Sequence, residues 1–181
     1  MRNVVLTYSL FMSLPSCVTS LPALSHTELS ELAGQQWVME DMKGLDEAIQ
    51  TRLDKEGLDM LDFHKEEILV GLNIFPSMGN IKSGGVTLSV GICNGVGSNF
   101  RTEGRSLHHV QTKIHPAGCG VSIQKNGKAI TSYAPLAIEN HYMKLATQIR
   151  HVFLLNDGET LSFKGEDLEQ LASFKRWEAQ E

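Results

Sequence analysis

The chain has 181 residues, of which 41% are hydrophobic and 20% are charged, and its formal net charge is −5. This length suits one domain of about 100–200 residues, and the composition is typical of a globular protein and excludes a disordered one. Lysines and arginines are scattered along an acidic chain. The sequence therefore argues against a nucleic-acid partner, which would need a basic stripe to displace counterions from phosphates.

The N-terminus has the pattern of a secretory signal. One arginine precedes an uncharged apolar run from Val4 to Leu14. This run is shorter than the roughly 20 residues that span a bilayer, and small residues follow it. We therefore predict a signal peptide over residues 1–16.

Residues 14–17 resemble the lipobox of bacterial lipoproteins, in which the cysteine carries the lipid. Leu14, Ser16 and Cys17 match that pattern, whereas Pro15 departs from it. We expect lipidation of Cys17, which would anchor the chain to a membrane. The alternative is ordinary signal cleavage after Val18–Ser20, which would release the chain without a lipid.

Both alternatives place the mature chain in an oxidising compartment. Of the three cysteines, Cys17 is either lipidated or removed with the signal, which leaves Cys93 and Cys119. Two cysteines in an exported chain are expected to form a disulfide. In the chain-entropy model this link stabilises the fold by about 3–4 kcal/mol.

The remaining elements are predicted from periodicity, with strands where apolar residues alternate and helices where they recur every three or four positions. Residues 17–31 have little periodicity and predict a tether. The predicted strands are 35–42, 66–76 and 85–93, the predicted hairpins turn at Glu103-Gly104, Asn126-Gly127 and Asp157-Gly158, and the predicted helices cover 45–56 and 135–150. Residues 94–100 predict a glycine-rich turn, and residues 171–180 predict an edge strand or a short helix. This order predicts an α+β fold, with a mostly antiparallel sheet and one main helix packed on it.

Four segments, in this order, resemble the META/HslJ-like domain family. They are its Leu-x-Gly-x-Trp opening, its Gly-Cys-Asn turn with the hairpin that follows, its Thr-x-Met-x-Cys element, and its closing helix and hairpin. The matching residues are Leu32, Gly34, Trp37, Cys93, Asn94, Gly97, Ser98, Phe100, Thr112, Cys119, Glu139 and Leu145. The resemblance implies a META/HslJ-like domain over residues 32–177, preceded by the tether.

The chain departs from the family pattern at several places. Gly44–Phe63 is longer than the first connection of the family, and residues 112–119 contain three extra residues. The hairpin at Asn126-Gly127 is an insertion before the main helix, Ile92 replaces a glycine, and one extra residue precedes Trp37. These departures leave the expected pairing of Cys93 with Cys119 intact.

The stretch from Ser106 to Gly120 contains three histidines and a cysteine, which suggests a metal or nucleophile site. His108 and His109 are neighbours on a predicted strand, so their side chains are expected on opposite faces, where they do not share one metal ion. The expected disulfide removes the thiols as nucleophiles. His115, in a predicted loop, could turn toward a metal ion. The least favoured alternative is a hydrolase that uses His115 or a carboxylate pair.

These observations and the resemblance together imply a function without catalysis. We expect no enzymatic activity, no cofactor and no metal site. The family is typically exported, often lipid-anchored in the outer membrane, and linked to stress tolerance. The expected partners are the membrane, through the lipid on Cys17, and an unknown protein or small molecule at the periplasmic side of the envelope. The alternative is a secreted periplasmic inhibitor or a module that binds a small ligand, with Ser77 to Gly85 as its binding loop.

Overall fold

A computed structural model describes residues 21–63, 68–76, 85–92, 94–115, 120–155 and 158–177. The helices are α1 (His26–Glu31), α2 (Leu45–Glu56) and α3 (Ala134–Ala146). The strands are β1 (Trp37–Met42), β2 (Gly71–Pro76), β3 (Gly85–Gly91), β4 (Gly95–Glu103), β5 (Ser106–His115), β6 (Val121–Lys125), β7 (Lys128–Ser132), β8 (His151–Leu155), β9 (Thr160–Lys164) and β10 (Gln170–Arg176). The predicted signal peptide and the predictions for Cys17, Cys93 and Cys119 lie outside the described residues.

Eight strands form one antiparallel sheet in the order β5-β4-β3-β2-β1-β10-β9-β8, and β6 pairs with β7 in a separate hairpin. The two edges of the sheet approach each other, so the sheet is curled. The N–H of Leu107 in the edge strand β5 donates to the carbonyl of Arg150, just before the other edge strand, β8, at 2.7 Å. The N–H of Leu24 donates to the carbonyl of Val152 in β8 at 2.6 Å. The predicted α+β fold, mostly antiparallel with one main helix packed on the sheet, is confirmed.

The helix α3 packs on the sheet through the residues that its periodicity predicts. Ile138, Tyr142 and Leu145 are all buried. The hydroxyl of Tyr142 donates to the carbonyl of Leu88 in β3 at 3.3 Å, which ties the helix to the sheet. Burial raises the pKa of the Tyr142 phenol far above its usual range, so the group keeps its proton and remains a donor.

Local sequence signals also place α2 and the tight turns correctly. Leu45, Ile49 and Leu53 are buried along one side of α2, which ends at Gly57 with a φ of 70°. The turn between β6 and β7 has Asn126 at a φ of 52° and Gly127 at 74°, the left-handed values that these residues tolerate best.

The end of the predicted tether packs on the domain and includes an ordered helix, so that prediction is wrong from residue 23 onward. The Ser25 side chain accepts a hydrogen bond from the N–H of Glu28, whose carboxylate accepts from the N–H of Ser25 at 2.7 Å. This capping box starts α1, in which Leu29 is fully buried. The helix has only six residues and one buried side chain, which is too short for periodicity to reveal.

Two further predictions are wrong for identifiable reasons. The glycine-rich residues 95–100 lie in β4 and do not form a turn. Val96, Ser98 and Phe100 are buried there, while Gly95, Gly97 and Asn99 are less buried. The sequence does not predict β4 here, because glycines interrupt the alternation of apolar residues and are disfavoured in strands. The final segment forms β10, which lies between β1 and β9 and is neither an edge strand nor a helix.

The segment Gly44–Phe63 and the β6–β7 hairpin contact each other. At one end of the β6–β7 hairpin, Lys125 Nζ lies 2.8 Å from Asp62 Oδ2 and donates to the carbonyl of Gly57 at 3.0 Å. At the other end, Ser132 Oγ donates to Glu56 Oε2 at 2.6 Å. The segment Gly44–Phe63 and the hairpin therefore support one another.

This contact predicts an acid-sensitive contribution to stability. Burial raises the pKa of Glu56, but hydrogen bonds from Ser132, the N–H of Tyr133 and Arg52 outweigh it and hold the pKa below its usual range. A carboxyl with a lowered folded pKa stabilises the fold above its unfolded pKa of about 4.3, and that stabilisation is lost as the pH falls through the folded value.

We therefore expect the thermal midpoint of the wild type to fall from about pH 5 to about pH 3 more steeply than that of Glu56→Gln, followed by circular dichroism. The matched control is Glu166→Gln, because the Glu166 side chain is 81% exposed beside Arg150. Equal slopes for the wild type and Glu56→Gln would show that this carboxylate does not support the contact.

Candidate functional site

A groove opens in the sheet where β1 and β2 separate. These strands share only two residue pairs, Trp37 with Leu72 and Val38 with Gly71. At residue 36 the chain is held on the β10 side, because the N–H of Trp177 donates to the carbonyl of Gln36 at 2.9 Å. β2 meanwhile continues along β3. We call this opening the β1–β2 groove.

Glycines form the floor of the β1–β2 groove. Gly71 and Gly91 are partners across β2 and β3, on the side of the sheet that faces away from the core. A Cβ added to Gly71 would meet no atom closer than the carbonyl oxygen of Gly91 at 4.0 Å, so the space above it is open. Leu69 and Trp177 border the floor with side chains that are 57% and 43% exposed. The floor is therefore low and its walls are apolar.

The β1–β2 groove has a volume of about 410 Å³, within the range of about 300–1,000 Å³ for small-ligand sites. Its lining comprises Gln36, Trp37, Val38, Leu69, Gly71, Leu72, Asn73, Gly91 and Trp177. Gln36 and Asn73 are exposed and offer amide donors and acceptors. None of the nine described lining residues carries a charge, so the groove suits an uncharged ligand.

The two tryptophans of the chain have different environments. Trp37 is 1% exposed and lies in the core, and the guanidinium of Arg176 lies 5.4 Å from its ring centroid. Trp177 lies at the end of β10 and exposes nearly half of its surface. A charged hollow of about 290 Å³, lined by Glu159, Lys175, Arg176 and Trp177, adjoins the β1–β2 groove at Trp177. This tryptophan therefore separates an uncharged surface from a charged one.

A second feature is a buried carboxylate at the start of β4. Glu139 of α3 is 2% exposed and accepts hydrogen bonds from the N–H of Ile92 at 3.3 Å and the N–H of Asn94 at 2.7 Å. Its other oxygen accepts from the Asn94 side-chain amide at 2.7 Å. The carboxylate therefore holds the residues on both sides of position 93. We call this contact the Glu139 clamp.

The histidines of β5 are separated as strand alternation predicts. His109 packs edge-on against the buried Phe100 ring at 5.6 Å between centroids, and its Nε2 lies 2.8 Å from Thr112 Oγ1. Burial and the nearby charge of Arg150 lower the pKa of His109, which favours the neutral ring. His108 Nε2 lies 3.5 Å from Glu103 Oε2 on the exposed side.

His115, predicted in a loop, is the last residue of β5 and pairs with Gly95, so that placement is wrong. In the part of the chain that the structure describes, no group of three or more His, Cys, Asp or Glu residues could hold a metal ion. Where the structure describes it, the stretch that suggested a metal or nucleophile site contributes structural contacts through His108 and His109.

A third hollow, of about 450 Å³, lies between α2 and α3. His141 and Lys144 of α3 both line it. His141 Nε2 lies 2.6 Å from the carbonyl oxygen of Lys43. Arg52, another lining residue, is paired with Glu56 at 2.5 Å. Because these groups already serve the packing of the helices, the hollow is a weaker candidate than the β1–β2 groove.

Sequence reasoning missed the groove and the exposure of Trp177. One signal was available for the clamp, because Glu139 lies in the helix beside Ile138 and three positions before Tyr142, where an apolar residue is expected. The loop from Ser77 to Gly85 is predicted as the binding loop of a secreted module. Residues 77–84 of this loop lie outside the described residues.

Compared with known proteins, the chain matches no family model, no curated protein and no solved structure. Among the residues that the structure describes, no helix is long and apolar enough to span a membrane. The META/HslJ-like resemblance therefore stays a prediction from the sequence.

Proposed function

We propose that this chain is a non-enzymatic domain of the bacterial cell envelope, anchored through Cys17 to the outer membrane, that binds a partner or a small ligand. The observation that carries the binding function is the β1–β2 groove, which is open to solvent and uncharged and is bordered by the exposed Trp177. Exposed apolar surface beside a preformed groove is typical of a binding site. The META/HslJ-like resemblance supports a role in envelope stress tolerance.

The location rests on the N-terminal sequence. The uncharged run from Val4 to Leu14 and the lipobox-like residues 14–17 support export followed by lipidation. The described domain begins with residues that pack on β8, since Leu24 bonds to Val152. Only the few residues between Cys17 and this contact would connect the lipid to the domain. The domain would therefore lie close to the membrane surface.

The anchor is tested by comparing the wild type with Cys17→Ala in a Gram-negative host. We expect the wild type in the membrane fraction, with a mass that includes the lipid on Cys17, and the variant in the fraction released without detergent. Leu61→Ala is the control, because its side chain is 90% exposed and lies outside the lipobox, so it should leave the wild-type location unchanged. A wild-type chain that begins at Leu21 without a lipid would overturn the anchor and favour a secreted periplasmic module.

The β1–β2 groove also serves that alternative, a secreted inhibitor or ligand-binding module. The two proposals share the binding site and differ in the fate of Cys17. Extraction of the native protein, followed by identification of what accompanies it, tests the binding part. A companion that is retained by Leu61→Ala but lost with Trp177→Ala would support the groove, because Leu61 is 90% exposed and lies outside the lining. A companion that both variants retain would contradict it.

A further inference from the structure

We infer that the β1–β2 groove binds a neutral saccharide through its pyranose rings. This inference rests on the proposed binding function of the groove and names the class of its ligand. Membrane anchoring through Cys17 is independent of it, so each can fail without the other.

The walls and rim of the groove provide the two kinds of contact that a sugar ring uses. A pyranose has an apolar C–H face, which packs on a flat aromatic surface, and hydroxyls around its edge, which hydrogen-bond to amides. Trp177 offers a large exposed indole, 43% exposed, and Leu69 adds apolar surface. Gln36 and Asn73 each supply an amide with two donors and one acceptor beside these side chains.

The glycine floor allows a flat ring to approach the sheet. A side chain on a strand stands roughly perpendicular to the sheet and would fill this space. Gly71 has no side chain, and a Cβ there would be at least 4.0 Å from its nearest neighbour, the carbonyl of Gly91. A Cβ on Gly91 would meet the carbonyl oxygen of Asn94 at 3.2 Å, so the open space lies above Gly71. The backbone therefore forms a low base on which a ring can lie against the indole.

The uncharged lining of the groove favours neutral saccharides over acidic ones. None of its described lining residues is charged, whereas an acidic sugar would need a cation to compensate for the loss of water around its carboxylate. The nearest cations of this surface, Lys175 and Arg176, line the adjoining hollow. Arg176 is also engaged, since it donates to Gln35 Oε1 at 3.0 Å and covers Trp37. A neutral ring is therefore the better fit.

The contrast between the two tryptophans provides the assay. Iodide quenches the fluorescence of exposed indoles, so it should quench Trp177 and leave the buried Trp37 bright. Chitotetraose, cellotetraose and maltotetraose are added in turn to the full mature protein. We expect at least one of them to protect Trp177 from iodide, with an affinity confirmed by calorimetry, and the acidic tetragalacturonate to give no protection.

Two variants test the groove itself. Trp177→Ala should weaken calorimetric binding by about tenfold or more, because it removes the central aromatic contact. Gly71→Val should abolish binding while the thermal midpoint stays at or above that of the wild type, because its Cβ would meet no atom closer than 4.0 Å and valine favours strands over glycine. Gly71→Ala provides a smaller step if the valine variant folds poorly. Leu61→Ala, at a 90% exposed side chain outside the groove, is the matched control and should bind as the wild type does.

The outcomes separate the possibilities. Binding of none of the three neutral probes, equal binding of tetragalacturonate, or full binding by folded Gly71→Val would each overturn the inference. Retention of purified cell-wall sacculi by the wild type, and their loss with Gly71→Val, would identify an envelope glycan as the source of the sugar. Binding of the free oligosaccharides without retention of sacculi would identify a soluble saccharide.

Discussion

Glu139→Ala is expected to destabilise the domain by about 3–5 kcal/mol, because it removes the acceptor of three buried hydrogen bonds and each buried donor left unsatisfied costs about 1–3 kcal/mol. The substitution leaves the N–H groups of Ile92 and Asn94 and the Asn94 side-chain amide without this acceptor in a buried setting. Each hydrogen bond to a charged group contributes about 1.5–3 kcal/mol. A loss of this size is a large part of a typical stability of about 5–15 kcal/mol. Urea unfolding at neutral pH measures it.

The glutamine variant tests the geometry of the Glu139 clamp more sharply. Glu139→Gln keeps one oxygen for the two backbone N–H groups, but its amide nitrogen then faces the Asn94 Nδ2, so two donors oppose each other. We expect this variant to be less stable than the wild type and more stable than Glu139→Ala. Adding Asn94→Asp restores an acceptor for that nitrogen and should recover part of the loss.

The control for both variants is Asn140→Ala, at the exposed next position of α3. A surface substitution away from special contacts changes the free energy of unfolding by no more than about 0.5 kcal/mol. Equal stability of Glu139→Ala and Asn140→Ala would show that the clamp contributes nothing. If Glu139→Gln/Asn94→Asp is no more stable than Glu139→Gln, the Asn94 side chain is not the donor that opposes the new amide nitrogen.

The parts of the fold that could be predicted depend on local chemistry. The helix α2 follows from apolar residues four positions apart and from Gly57 at its end, where a φ of 70° favours glycine. The β6–β7 hairpin follows from Asn126-Gly127. In each case the signal and the element lie within about one helix length of sequence, so single-sequence periodicity is sufficient.

The candidate site could not be predicted in this way, because it is assembled from distant segments. The lining of the β1–β2 groove comes from β1, β2, β3 and the end of β10, and Gln36 meets Trp177 across 141 positions (177 − 36). Because the last segment is predicted as an edge strand or a short helix, the sequence does not place β10 beside β1. Gly71 and Gly91 have no side chains, so the periodicity of apolar residues does not reveal the floor that they form. Long-range strand order, rather than residue type, decides where Trp177 lies.

The Glu139 clamp is an intermediate case. A charged residue beside Ile138 is visible in the sequence as an exception to the apolar face of α3. Its partners are 45 and 47 positions away, so the sequence shows that Glu139 needs a buried partner without naming it. The structure supplies the partners on both sides of position 93, which connects this carboxylate to the predicted disulfide.

Cys93→Ser and Cys119→Ser are each expected to cost about 3–4 kcal/mol in the free energy of unfolding, because either one opens the predicted disulfide. Both cysteines lie outside the described residues, but their neighbours are described. Gly95 pairs with His115, so Cys93 lies two residues (95 − 93) and Cys119 four residues (119 − 115) from one cross-strand pair. A disulfide needs Cα atoms about 4.4–6.8 Å apart, and such short connections allow that approach.

The pattern across variants distinguishes a disulfide from separate thiols. If the cysteines are paired, Cys93→Ser/Cys119→Ser costs no more than either single variant, whereas independent thiols would give additive losses. Thiol titration of the unreduced, denatured mature wild type should find neither Cys93 nor Cys119 free. Two reactive thiols would overturn the pairing and reopen the question of a metal or nucleophile at these positions. Because the Glu139 clamp holds Ile92 and Asn94, Glu139→Ala should also make the link easier to reduce, measured as a higher reduction potential in a glutathione titration.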